Sequence, residues 1–132
     1  MLIAPRDAYA ETLVELGAEN ENIVVLDADV AKASKTVLFK EKFPNRFFDL
    51  GISESDLICT GAGFALAGML PFVNAYGNFM LGNGWEQIKL SVCYANKNVK
   101  IVGHNIGVSS GKDGPTHFCL EDIALMRVLP RM

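Results

Sequence analysis

Cysteine is scarce in this chain. The three present, Cys59, Cys93 and Cys119, are odd in number and widely separated, which excludes a disulfide framework and a close-spaced thiolate metal site. Each lies in or beside an apolar helical pattern, so they read as reduced core thiols of a cytoplasmic protein. Basic charge is also short: 12 Lys and Arg against 15 Asp and Glu leave a net charge of -3. That balance gives no footprint for nucleic acid. No apolar run is long and uninterrupted enough to span a bilayer, and the opening M-L-I-A-P-R-D lacks the pattern of a signal peptide. Repeats, low-complexity tracts and linkers are missing too. What remains is 132 residues, 50% of them apolar and 20% charged, enough for one domain with a real core.

The order of local patterns predicts an α/β fold. Pro5 to Leu16 carries Ala8, Tyr9, Leu13 and Leu16 at helical spacing, with proline early and Gly17 as the stop. Ile23 to Leu26 (I-V-V-L) reads as a first buried strand and Phe47 to Leu50 as a second. Lys32 to Lys42 is basic, then helical around Val37, Leu38 and Phe39. A small-residue helix follows, with Ser53 as its N-cap and Glu54 and Asp56 in its first turn. Phe72 to Tyr76 is the third strand. Asn83 to Tyr94 is an amphipathic helix with Trp85, Ile88, Leu90 and Val92 inward, and Val99 to Gly103 is the fourth strand. A glycine-rich loop covers His104 to His117, and a last helix begins near Leu120. Strands alternating with helices predict an open, mostly parallel sheet with helices on both faces. The Leu129-Pro130 ending leads into no further strand, so residues 1–132 read as one domain of a longer chain.

In such sheets ligands bind beyond the carboxyl ends of the strands. Asp27 and Asp29 follow the first strand, Glu54 the second, Tyr76 and Phe79 the third and His104 the fourth, which places them along one edge. Each also has a plainer role. Glu54 complements the helix dipole or is a desolvated acid aimed at a ligand. Tyr76 and Phe79 are core aromatics or a stacking surface. Asp113-Gly114-Pro115 is a turn, Asp29 a cap, and Arg6 an exposed cation at a helix start.

The motifs R-D-A-Y-A-E-T-L-V-E-L-G (Arg6 to Gly17), V-V-L-D-A-D, F-F-D-L-G-I-S-E, W-E-Q-I-K-L-S-V-C-Y, G-K-D-G-P-T-H and E-D-I-A-L-M-R occur in this order over nearly the whole length. Together they resemble the pyrimidine-binding domain of transketolases, in particular the C-terminal subunit of split transketolases. The resemblance implies a thiamine-diphosphate-binding fold and transfer of a two-carbon ketol unit from a ketose phosphate to an aldose phosphate. Glu54 matches the family acid that hydrogen-bonds N1′ of the cofactor's pyrimidine and promotes deprotonation of its thiazolium carbon. Phe79 matches the aromatic stacked on that ring, Tyr76 lines the same pocket, and Asp29 matches an acid near the cofactor. Asp113 and His117 match residues that bond the sugar's hydroxyl and C1 oxygen. His117 counts with Glu54 as catalytic. Arg6, and less directly Ser34 and His104, match positions near the substrate phosphate.

The family's Gly-Asp-Gly diphosphate and metal motif does not occur in this sequence. The resemblance therefore implies half of a composite site. A diphosphate-binding partner subunit would hold Mg2+ or Ca2+, and the assembled enzyme would be a dimer of such pairs. Ser55-Asp56 and Gly82 depart from the family pattern, and the stretch from His104 to Asp113 is one residue longer than usual; these departures bear on the sugar. The competing expectations are a different thiamine-diphosphate enzyme, resembling deoxyxylulose-phosphate synthase or a 2-oxo-acid dehydrogenase β subunit, and a non-catalytic interaction domain. Gly-Pro-Thr-His after Asp113 favours transketolase over the first. The joint presence of Glu54, Phe79, Asp113 and His117 speaks against the second.

Overall fold

The computed structural model describes residues 2–132. Strands β1 (Ile23–Asp27), β2 (Phe47–Asp49), β3 (Leu70–Tyr76) and β4 (Lys100–His104) form one sheet in the order β2-β1-β3-β4. Every neighbouring pair is parallel. All five residues of β1 are buried, as a strand flanked on both edges and covered on both faces requires. Its alternating side chains feed separate cores. Ile23 and Val25 pack with Leu13 of helix α1 (Pro5–Glu19) and Phe39 of α3 (Val37–Lys42). Val24 and Leu26 face the larger core, with α4 (Glu54–Leu66), α5 (Gly77–Gln87) and α6 (Asp122–Arg127). Between β1 and α3 lies the short α2 (Ala31–Ser34). The register aligns Asp27 with both Asp49 and Asn74, and Tyr76 with His104, so the carboxyl ends of the strands meet on one edge.

Several boundaries differ from the sequence reading. Gly17 does not end α1. It lies inside the helix, where a Cβ would sit 2.5 Å from the Phe39 ring, so its role is close packing. The amphipathic helix begins at Gly77, not Asn83, and continues without a break into a π-helical segment, Ile88–Tyr94. Within it Leu90 points outward while Ile88 and Val92 are buried. Ser53 occupies the N-cap position of α4, but its hydroxyl donates to the Leu50 carbonyl (3.1 Å) and caps nothing. Cys59 is exposed, contrary to its reading as a core thiol; Cys93 and Cys119 are buried, and burial pushes both thiols up. No helix among the described residues is long and apolar enough to cross a membrane.

Candidate active-site face

The chain leaves β2 and enters α4 with Glu54 as its first helical residue. Glu54 is 5% exposed, which is rare for a carboxylate. The Asn83 carboxamide, from α5, donates to its Oε2 at 3.2 Å. The Ser55 hydroxyl in turn donates to the Asn83 carbonyl, tying the two helices together beside the acid. Gly84 faces the same junction: a Cβ there would lie 3.3 Å from the Ile58 side chain, a tight contact, and 3.5 Å from the Glu54 carbonyl oxygen, an ordinary one. The other carboxylate oxygen has no hydrogen-bond partner among the described residues.

Asn83 stands four residues after Phe79 on α5, so the two share a helix face. At the head of that helix Phe79 meets His117 edge to face, with centroids 5.0 Å apart at 81°. Tyr76 joins the group, 6.3 Å from Phe79 and 6.2 Å from His117. His117 closes a short 3-10 turn (Pro115–His117). Its carbonyl accepts from the Ser110 hydroxyl (2.9 Å), and its Nδ1 pairs with Thr116 Oγ1 (3.0 Å). Asn78 of α5 donates to the Thr116 carbonyl at 2.7 Å and so holds the loop against the helix. Asp113 ends the preceding turn, Gly111–Asp113, and is exposed.

The acids after β1 behave differently from one another. Asp27 is fully buried and organises its own loop, accepting from Val30 N–H (2.6 Å), Thr36 hydroxyl (2.7 Å) and Ser34 hydroxyl (3.4 Å). Burial pushes its carboxyl above the usual range, against those donors. Ser34 is likewise fully buried, with its hydroxyl engaged by Asp27 and Thr36, and stands apart from the other substrate candidates. Asp29 is exposed at φ 59° and shares the lining of a cavity of about 360 Å³ with Tyr76, Lys32 and Lys40.

At the end of β4, His104 is buried and its Nε2 lies 3.1 Å from Asn74 Oδ1. Tyr9 donates its hydroxyl to the same oxygen at 2.9 Å. Burial lowers the His104 pKa to about 4 and pushes the Tyr9 phenol up. His104 and Arg6 line one cavity of about 520 Å³. The structure thus gathers Tyr76, Phe79 and His117, sets Phe79 on the face of α5 from which Asn83 reaches Glu54, and places Arg6 and His104 in the lining of one cavity. Asn74, Tyr9 and Asn83 escaped the sequence reading. A polar residue inside F-V-N-A-Y was the available signal for Asn74. Among the described residues no three His, Cys, Asp or Glu side chains cluster as metal ligands.

Residues 2–132 match the family described as the transketolase pyrimidine-binding domain. A provisionally named transketolase C-terminal section from Methanocaldococcus jannaschii is 44% identical over 127 residues, covering 96% of this chain and 40% of that protein. The 6-deoxy-6-sulfo-D-fructose transketolase subunit SqwH of Clostridium sp. MSTE9 is 38% identical, over 96% of this chain and 39% of its own length. A solved structure described as a split-gene transketolase, an inactive β4 tetramer, superposes with a TM-score of 0.85 at 47% identity, over 98% of this chain and 41% of that one. The chain therefore spans about two-fifths of the length of each of these relatives.

Proposed function

We propose, on the premise that this chain belongs to the transketolase pyrimidine-binding domain family, that it supplies the pyrimidine-gripping half of a thiamine-diphosphate site in a ketol-transferring enzyme. The observation that carries this reading is the buried Glu54 carboxylate at the head of α4, one oxygen held by Asn83, with Phe79 on the same face of α5.

These residues fit an aminopyrimidine. A planar heterocycle needs an aromatic wall and an in-plane hydrogen-bond partner, and Phe79 with Tyr76 and Glu54 offer both. When bound, thiamine diphosphate supplies the nucleophilic carbon for breaking and remaking the bond beside a ketose carbonyl. In this reading Glu54 shares a proton with the ring nitrogen N1′ through the oxygen that Asn83 leaves open. Phe79 stacks on the ring, Tyr76 closes its side, and Asp29 lies beside the cofactor. His117 and Asp113 hold the sugar's C1 oxygen and a hydroxyl, and His117 exchanges a proton there. Arg6 meets the sugar's phosphate, with His104 toward that end. The diphosphate and its divalent cation, Mg2+ or Ca2+, fall to a partner subunit, and two such pairs associate. Three free thiols support a cytoplasmic setting.

Calorimetry of thiamine diphosphate with magnesium, titrated into this chain mixed with a diphosphate-binding subunit, tests the reading. Saturable binding by the mixture, weakened by Glu54→Ala, is expected. Equal affinity of the partner subunit alone would contradict it.

A further inference from the structure

Three successive backbone N–H groups follow the end of β1, and each has a fixed acceptor. Ala28 donates to the Asn74 carbonyl (3.1 Å), Asp29 to Asp49 Oδ1 (3.1 Å) and Val30 to Asp27 Oδ1 (2.6 Å). The middle bond differs from its neighbours, because its acceptor is a side chain of β2. Main-chain pairing of β1 with β2 ends at Asp27 and Asp49, with Leu50 N–H on the Asp27 carbonyl (2.9 Å). Past that point the Asp49 carboxylate makes the next link. The same Oδ1 accepts a second bond, from Gly51 N–H at 3.0 Å. A carboxylate bonding the backbone two residues on shapes a tight turn, and Gly51 supplies the left-handed φ of 74°. One oxygen thus holds two left-handed residues on separate loops, Gly51 and Asp29, the latter at φ 59°. Aspartate is uncommon in that conformation and is kept there by what surrounds it.

We propose that Asp49 is a positioning residue: its Oδ1 staples the loop after β1 to the turn before α4, and so fixes Asp29 and Glu54 relative to each other. Both arms of the staple are short. One reaches Asp29 itself. The other runs through Gly51 to Ser53, whose hydroxyl closes on the Leu50 carbonyl, and Glu54 follows as the first residue of α4. With the N–H groups of Ala28, Asp29 and Val30 all engaged, what this loop presents outward is the exposed Asp29 carboxylate. It does so in the cavity that Asp49 and Tyr76 also line. Both donors to Asp49 are neutral amides, so the staple needs an acceptor oxygen in that place, and the Oδ1 of an asparagine accepts in the same way. The staple stands independently of the function proposed above; its consequence for thiamine diphosphate rests on that reading.

Amide hydrogen exchange, read by NMR on the nitrogen-labelled chain, tests the staple. The Asp29 and Gly51 N–H groups should exchange about 10-fold or more slower than unbonded exposed amides. Asp49→Ala should return both to the unprotected rate while Val30, held by Asp27, stays slow. Asp49→Asn should keep both protected. Unprotected Asp29 and Gly51 amides in the unsubstituted chain overturn the proposal without any variant having to fold. Amides that stay slow in Asp49→Ala overturn it as well, since something other than Asp49 would then hold them. Calorimetry of thiamine diphosphate with magnesium, on each variant mixed with a diphosphate-binding subunit, tests the consequence. Asp49→Ala should weaken binding about 10-fold, because the cofactor must then order both loops itself, and Asp49→Asn should stay within about 2-fold. An affinity untouched by Asp49→Ala, or weakened equally by Asp49→Asn, overturns the positioning role. A mixture that binds no cofactor in any form would overturn the proposed function instead, and the exchange rates would still decide the staple.

Discussion

Asn83 Nδ2 donates to Glu54 Oε2 across 3.2 Å, joining the second turn of α5 to the first residue of α4. A hydrogen bond to a charged group contributes about 1.5–3 kcal/mol. Asn83→Ala should lower kcat/KM of the assembled enzyme roughly 10- to 100-fold if that bond orients the acid in the transition state. The same substitution leaves a buried Glu54 oxygen unpaired, so the melting temperature should fall by about a few degrees. Steady-state kinetics paired with thermal melts check both halves of this expectation.

Phe79 is half-buried and makes its closest aromatic contact with His117 at 5.0 Å. If the ring stacks on the cofactor, Phe79→Ala removes a contact worth on the order of 1 kcal/mol beyond burial. The concentration of thiamine diphosphate for half-maximal activity should then rise by about 5-fold or more. Phe79→Tyr should stay close to wild type. A cofactor requirement unchanged in both variants would make Phe79 a packing residue.

Asp27 is a buried carboxyl whose folded-state pKa is raised, by burial first and by Asp49 in addition. The sign is the reverse of a salt-bridged acid. Its protonation favours the folded state, so the gain is complete below the unfolded value of about 3.9 and is lost as pH rises through the folded one. Thr36→Val removes a 2.7 Å donor from the carboxylate while keeping the side chain's shape. Stability should fall by about 1–3 kcal/mol once Asp27 is ionised and by less at acid pH. Urea denaturation at several pH values shows whether the penalty has that slope.

His104 has the opposite linkage. Its pKa drops to about 4 in the fold, so the unfolded chain binds more protons at mildly acid pH. Stability should decline as pH falls from about 6.5 toward 4, by about 3 kcal/mol in all and roughly 2 kcal/mol by pH 5. His104→Gln should flatten this part of the profile, visible as a smaller pH dependence of the denaturation midpoint.

The period of the apolar residues made the α/β architecture legible. Ile23-Val24-Val25-Leu26 is apolar throughout because it lies between two cores, and the helices between strands leave parallel pairing as the natural outcome. Glu54 was legible for a different reason: a carboxylate beginning an otherwise apolar helix must be explained. Polar partnerships across elements were not. Nothing local to Asn83 announces that its amide reaches back 29 positions to Glu54, nor does Tyr9 announce a bond 65 positions ahead to Asn74. The start of α5 was missed because Gly77, Gly82 and Gly84 weaken its helical signal. Ser34 was misjudged for a similar reason, since a serine near a helix start looks available until the fold turns it onto Asp27.

The most direct measurement is ketol transfer by this chain mixed with a diphosphate-binding transketolase subunit, supplied with thiamine diphosphate, magnesium, a ketose phosphate donor and an aldose acceptor. Each chain is assayed alone, and the mixture is repeated with Glu54→Gln. Turnover confined to the mixture, and lowered about 100-fold or more by Glu54→Gln with the melting temperature unchanged, is the predicted result. Turnover by either chain alone, or a Glu54→Gln mixture as fast as the unsubstituted one, would contradict the account.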